Sequence, residues 1–341
     1  MNEKKSFFQR RIAELPYVTI FFLIVMCFNF YFIAPIMFSM INITNMAIQM
    51  TFILLLGMGQ AVVMLSGNVD LSVGAIVGTS TMIMGVLIDR EVSLEVAIIV
   101  ALLFCLVVGG INGLLVAICK LLLPTTKSKF FTLVLLKLPA VVITYIMMRI
   151  LIGLRGMSTL RMIPLGEGAR LDRSTFLIIS FFVFILLLAL WAILEVTKMG
   201  KRIYALGNAL SVKEFPRVSV TLNTVIVYML SALFAGLAGL FVAFRVGGIS
   251  PFFGTGVMEI TILAAIIGGI FLRGGQGMFI GVFVGVLFEQ ILRTGLMILR
   301  FDFYAVRAIT LTVMIILAVI NTARSILIRR AREKVPQESV A

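Results

Sequence analysis

Histidine is absent from this 341-residue chain, and cysteine (three), tryptophan (one) and charged residues (13%) are scarce. With no imidazole, and with Cys27, Cys105 and Cys119 scattered through apolar stretches, the sequence offers no ligand set for zinc, haem or an iron–sulfur cluster. Metal ligands are therefore expected to be none. The same three cysteines make no disulfide framework. The lack of His removes the commonest general base, and no cluster of titratable groups replaces it, which argues against a membrane enzyme. No Gly-rich loop leads into Lys-Ser or Lys-Thr, so the chain carries no Walker-type nucleotide loop and binds no cofactor of its own. The first apolar stretch, Tyr17 to Phe38, is too long for a signal-peptide core and lacks a small-residue cleavage site; it reads as a retained span.

What the chain has in abundance is apolar surface. It is 61% hydrophobic, with 28 Phe and 20 Met, whereas soluble domains are about half apolar and a quarter charged. This composition describes a polytopic membrane protein, and helices are the economical way to satisfy backbone groups in lipid. Spans of roughly 20 apolar residues fall at 17–38, 44–66, 70–88, 93–118, 130–152, 174–196, 219–244, 257–272, 276–294 and 303–323. The last short pair, separated by Arg273-Gly274-Gly275, reads as a hairpin that does not fully cross. The fold class is thus all-α, a single transmembrane domain over 17–323 with about ten helices, some broken.

The net charge of +14 would suggest nucleic acid in a soluble protein, but here it follows the bias of basic residues toward cytoplasmic loops. With both termini inside, eighteen Lys and Arg fall in inner segments and eight in outer ones. Residues 1–16 then form a basic cytoplasmic N-terminus, and 324–341 a basic cytoplasmic tail drawn to the anionic surface of the lipid bilayer. No nucleic-acid partner is expected.

One run breaks the apolar pattern. Ser66-Gly67-Asn68-Val69-Asp70-Leu71-Ser72 places a carboxylate, an amide and two hydroxyls between two spans. Ionisable groups at such depth face protein, water or a pathway, and irregular backbone survives there only when buried in protein or lining a cavity. The run predicts a broken helix, with Asp70 as N-cap accepting from the N–H groups of Ser72 and Val73. A second reading has Asp70 or Asn68 touching substrate. A later Gly-rich break, Gly268-Gly269 and Gly274-Gly275-Gln276-Gly277, raises a two-fold internal repeat. Glu259, Glu289, Gln290 and Arg307 suggest a Glu–Arg pair between adjacent helices.

Four stretches in order carry a resemblance. Val62 to Gly74, including Ser66-Gly67-Asn68-Val69-Asp70-Leu71-Ser72-Val73-Gly74, resembles the signature of permease subunits of ribose-type ABC importers, a family that also includes xylose, arabinose, galactose and autoinducer-2 permeases. Gly109-Gly110-Ile111-Asn112-Gly113 is similar to its Gly-x-Ile-Asn-Gly helix. Gly200-Lys201-Arg202-Ile203-Tyr204-Ala205-Leu206-Gly207-Asn208 is similar to its cytoplasmic segment, and Gly254 to Gly277 to its Gly-rich hairpin.

The resemblance implies a translocation pathway near Ser66, Asn68, Asp70, Ser72 and Asn112. It implies a cytoplasmic coupling segment at 198–217, with Gly200, Lys201, Arg202, Tyr204, Gly207, Asn208 and Glu214 meeting an ATPase. The implied partners are cytoplasmic ABC ATPase subunits, which bind the ATP and Mg, an extracytoplasmic solute-binding protein and a second permease subunit, identical or homologous. The implied place is the bacterial inner membrane, and the implied cargo a small neutral sugar. An autoinducer-2 or nucleoside permease of the same fold and an ion-coupled secondary transporter are the alternatives. The chain departs from the family at Ser211 to Arg217, where Pro216 would end a helix, and at 124–162, where Lys137 enters a span.

Overall fold

The computed structural model describes residues 15–122, 129–156, 162–165, 171–207 and 219–333. Among the described residues eleven α-helices run in the order α1 (Tyr17–Ile33), α2 (Met40–Leu65), α3 (Val73–Asp89), α4 (Leu94–Leu122), α5 (Lys129–Gly156), α6 (Arg173–Val196), α7 (Lys198–Gly207), α8 (Val220–Val246), α9 (Val257–Ile267), α10 (Gly281–Ile298) and α11 (Phe303–Glu333). Among the described residues, α2, α4, α5, α6, α8, α10 and α11 are long and apolar enough to cross a membrane, and α1, α3 and α9 are shorter apolar helices. The chain is an all-α polytopic membrane protein.

Local chemistry sets the boundaries. Pro35, which cannot donate to a helix, stops α1 at Ile33 and opens a 3₁₀ turn over Pro35–Phe38, so the predicted span 17–38 is split. The Ser39 side chain accepts from Asn42 N–H and starts α2 four residues earlier than the apolar run suggests. Ser219 caps α8 in the same way, and Gly247 closes it in the left-handed conformation.

α2 is the axis of the subunit. Residues 53–82 are buried apart from the partly buried Val69 and Leu71, while α1, α4, α5, α6 and α11 present Phe28, Leu103, Ile146, Phe181 and Ile316 outward. Large side chains on the outer helices suit lipid, which is as apolar as they are. Among the described residues, α4 makes its most extensive helix contact with α8. Gly109 and Gly113 permit it: a Cβ on Gly109 would stand 2.6 Å from Tyr228 O, and one on Gly113 would stand 2.5 Å from Val225 Cα.

Before α9 the chain re-enters the bundle without a helix. β2 (Gly248–Ile249) pairs antiparallel with β1 (Ile163–Pro164), beside Gly85 of α3. Five residues on, Gly254 packs against Gly74 and Val77. From Gly85 to Gly74 is about 16 Å along α3 at 1.5 Å per residue. The sequence reads 257–272 as one arm of a hairpin that does not fully cross; the helix there is α9, Val257–Ile267, with this irregular segment before it. The buried Arg155 guanidinium holds the segment, donating from Nη1 to Pro251 O (3.0 Å) and Phe253 O (3.2 Å). Such satisfaction is what permits irregular backbone at this depth.

Candidate functional site

α2 and α6 start side by side, where Arg173 Nη2 donates to Ile41 O (2.8 Å) and Thr44 Oγ1 (2.6 Å). They finish at the opposite end of the bundle, and there the polar run forms. α2 ends at Leu65 and α3 begins at Val73. Between them the chain folds on its own side chains. Ser66 Oγ donates to Val63 O (2.7 Å), and Asn68 Nδ2 donates to Ser66 Oγ (2.9 Å).

Asp70 is wholly buried. Its Oδ1 accepts from Ser72 N–H (2.9 Å) and from Ser72 Oγ (2.6 Å), and its Oδ2 accepts from Ser231 Oγ of α8 (3.1 Å). Asn112 of α4 donates from Nδ2 to Ser72 Oγ (3.0 Å). The result is a directed chain, Asn112 to Ser72 to Asp70, with Ser231 closing it from α8. Tyr228 Oη, also buried, donates to Val69 O (3.3 Å), and Thr144 Oγ1 of α5 accepts from Leu71 N–H (3.1 Å). Three surrounding helices therefore satisfy one break.

The N-cap residue is Ser72, not Asp70. Asp70 nonetheless makes one of its two predicted cap bonds, accepting from Ser72 N–H and from the Ser72 hydroxyl beside it, and Thr144 takes the N–H of Leu71 ahead of α3. Asn112 is ten residues from the end of α4, or about 15 Å, so the break sits inside the bundle toward that end. The buried oxygens Asn68 Oδ1 and Asn112 Oδ1, and both polar atoms of Gln60 on α2, find no partner among the described residues. The oxygens are acceptors suited to hydroxyl donors, and Gln60 Nε2 is a donor suited to a hydroxyl oxygen.

α7 lies against this break. Its Gly200, Ile203 and Gly207 are buried, while Lys201 and Arg202 are exposed on the other face. That alternation suits an amphipathic helix at a membrane surface. Gly207 meets the break directly: a Cβ there would overlap Gly275 N and Leu65 O, and would stand 2.7 Å from Gly274 C. A Cβ on Gly67 would stand 3.1 Å from Gly207 Cα, and one on Gly274 would stand 3.0 Å from the same atom. Gly275 N–H donates to Leu65 O (2.8 Å), satisfying a carbonyl that the end of α2 would otherwise leave open. Gly67 (φ 83°) and Gly274 (φ 78°) both adopt the left-handed backbone, which glycine reaches without strain. Tyr204 Oη donates to Gly277 O (3.1 Å).

The hairpin is wider than the sequence suggests, with turns filling the chain between Ile267 and Gly281. Gly268 and Gly269 lie at its base rather than at the contact with α7. Gly268 faces Gly281, and Gly269 faces Gly277. Asn208 and Glu214, and with them 208–217 of the coupling segment, lie outside the described residues. The predicted Glu–Arg pair is corrected in its partner. Glu289 accepts from Arg293 Nε at 2.9 Å within α10, while Arg307 donates to Gly256 O (3.5 Å). A four-residue spacing on one helix brings the two side chains together without help from a neighbour.

Sequence reading missed Ser231, Tyr228, Thr144 and Arg155. For the first two a signal existed: they are polar residues three apart on one face of α8, in its apolar stretch 225–244.

Comparison with known proteins follows the same geometry. The model of the branched-chain amino acid transport system permease component family matches residues 42–320, a stretch that contains the break, α7 and the hairpin. The chain is 31% identical to an autoinducer 2 import system permease protein of Photorhabdus luminescens, over 77% of this chain and 76% of that protein. It is 28% identical to a ribose import permease protein of Escherichia coli, over 84% of this chain and 87% of that protein. No solved structure matches significantly.

Proposed function

The chain belongs to the permease family of ribose- and autoinducer-2-type ABC importers, and from that premise we propose that it forms the translocation pathway for a small neutral sugar or sugar-like solute. A solute-binding protein delivers the cargo at the outer face, and cytoplasmic ATPase subunits, which bind ATP and Mg, drive the cycle. Two permease subunits, identical or homologous, stand side by side in the bacterial inner membrane with both termini in the cytoplasm.

The observation that carries this reading is the meeting of three ordered motifs at one place. The exposed Lys201 and Arg202 of α7 offer charge to a docked partner, while the buried face of the same helix touches the polar break and the Gly-rich hairpin. Transport is then alternating access, two global states whose populations nucleotide shifts. The unpartnered oxygens of Asn68 and Asn112 support a hydroxylated rather than a charged cargo, since a buried acceptor without a donor costs about 1–3 kcal/mol. The similarity to an autoinducer 2 permease supports that molecule as a second substrate reading.

Reconstituted vesicles separate this from ion-coupled transport. Uptake is expected only when ATPase, ATP and binding protein are all present. Uptake by this chain alone under an ion gradient would overturn the assignment.

A further inference from the structure

We propose that the contact among Gly67, Gly207 and Gly274-Gly275 is the joint that carries displacement of α7 into the α2–α3 break, with Gly207 its positioning residue. The proposal rests on the coupling role given to α7 above. Its own support is the kind of contact made. Elsewhere, as between Gly74 and Gly254 or between Gly109 and Tyr228, two stretches of backbone meet. At this place three separate stretches of backbone touch with no side chain between them, and Gly275 N–H to Leu65 O locks two of them together. A shift of α7 therefore cannot be taken up locally.

The chain order gives the shift a destination. Gly67 is three residues from Asp70 and five from Ser72, the two residues tied to Ser231 and Asn112. Moving Gly67 strains those bonds. The break then changes register with α4 and α8 as a unit, because packed elements switch between discrete arrangements rather than deform continuously. Tyr204, bonded to Gly277 O, gives α7 a second hold on the hairpin.

The test uses the complete transporter in proteoliposomes with ribose as probe, and reads uptake per ATP hydrolysed. Gly207→Ala places a methyl where Leu65 O and Gly275 N stand. It is expected to assemble with the ATPase and to lower uptake per ATP at least fivefold. Tyr204→Phe, which removes one hydroxyl, is expected to lower the ratio about twofold. Gly295→Ala, whose methyl would overlap the Phe30 ring where α10 packs on α1, is expected to lose thermal stability while keeping the wild-type ratio. An assembled Gly207→Ala complex with a wild-type ratio overturns the joint. If that variant does not fold, a wild-type ratio in Tyr204→Phe overturns it instead. If ribose is not carried, the same ratio is read with autoinducer-2. A wild-type chain that engages no ATPase overturns the coupling role of α7, and the joint falls with it.

Discussion

Replacing Asp70 by leucine strips the acceptor from three donors at once: Ser72 N–H, Ser72 Oγ and Ser231 Oγ. Each buried donor left without a partner costs about 1–3 kcal/mol. A serine hydroxyl in a helix can turn to a carbonyl one turn back, so Ser231 recovers part of its loss, whereas the Ser72 N–H is fixed. The expected cost of Asp70→Leu is about 3–5 kcal/mol on those grounds. Asparagine behaves differently. Its Oδ1 keeps both Ser72 bonds, and its Nδ2 can donate to Ser231 Oγ once that hydroxyl turns. What remains is loss of negative charge at the start of α3, worth about 0.3–1 kcal/mol. The two variants should therefore differ widely in thermal midpoint when purified in detergent, with Asp70→Asn near wild type. Uptake, normalised to folded protein, should follow the same ranking. An Asp70→Leu protein as stable as wild type would refute the role of the carboxylate in holding the break. An Asp70→Asn protein of normal stability that no longer transports would show instead that the charge meets the cargo or a proton.

Other outcomes follow from the same structure. Arg155→Met removes the donors to Pro251 O and Phe253 O; a loss of about 2–5 kcal/mol is expected from two stranded carbonyls, with faster amide exchange across 250–256, and unchanged exchange there would refute the anchoring role. Gly74→Ala would overlap Gly254 O, whereas the nearest atom to a Cβ on Gly110 is Met229 Cγ at 3.9 Å; membrane yield should fall for the first and hold for Gly110→Ala, and equal yields would contradict the close approach. Hydroxyls of Ser174 and Thr175 hold the exposed Asp172 carboxyl down to about 2 from an ordinary 3.8. A depressed carboxyl stabilises the folded form fully above the ordinary value and loses that contribution as pH falls through the folded one. Amide protection at the first turn of α6 should therefore be flat from pH 7 to about 5 and decline toward pH 2; a decline centred near pH 6 would implicate another group.

The spans were legible in the sequence because a bilayer imposes a length and a composition, and the ends at Pro35, Ser39 and Gly247 each carry a local chemical reason. The polar run announced itself for the converse reason, being expensive where it stands. What lay out of reach were the partners. Ser231 bonds Asp70 across 161 residues, and Arg155 reaches Pro251 across 96. No periodicity encodes such pairs, since either residue alone reads as an ordinary polar position in an apolar helix. The re-entrant stretch before α9 was hidden similarly: Ser250 to Gly256 reads as a loop, and the carbonyl bonds to Arg155 and Arg307, with its own turn bonds, let it lie inside the bundle. The meeting of Gly67, Gly207 and Gly274 was not legible either, because a glycine records that something comes close without saying what.

The burial of α2 and α3 at the centre has a consequence for how the subunit is made. The break leaves the ribosome early, yet the residues that enclose it arrive late. Ser231 follows Asp70 by 161 residues, which at about 5–20 residues per second is some 10–30 s of synthesis. Gly275, which closes the end of α2, comes later still. During that interval Asp70, Asn68 and Ser72 are at the membrane with their own neighbours as partners but without α8 around them. The insertion machinery therefore has to retain the first helices, or let them rest shallowly, until α8 arrives. The order of synthesis thus makes the amino-terminal half a client of the carboxy-terminal half, and a chain stopped before α8 would present its most polar segment to lipid.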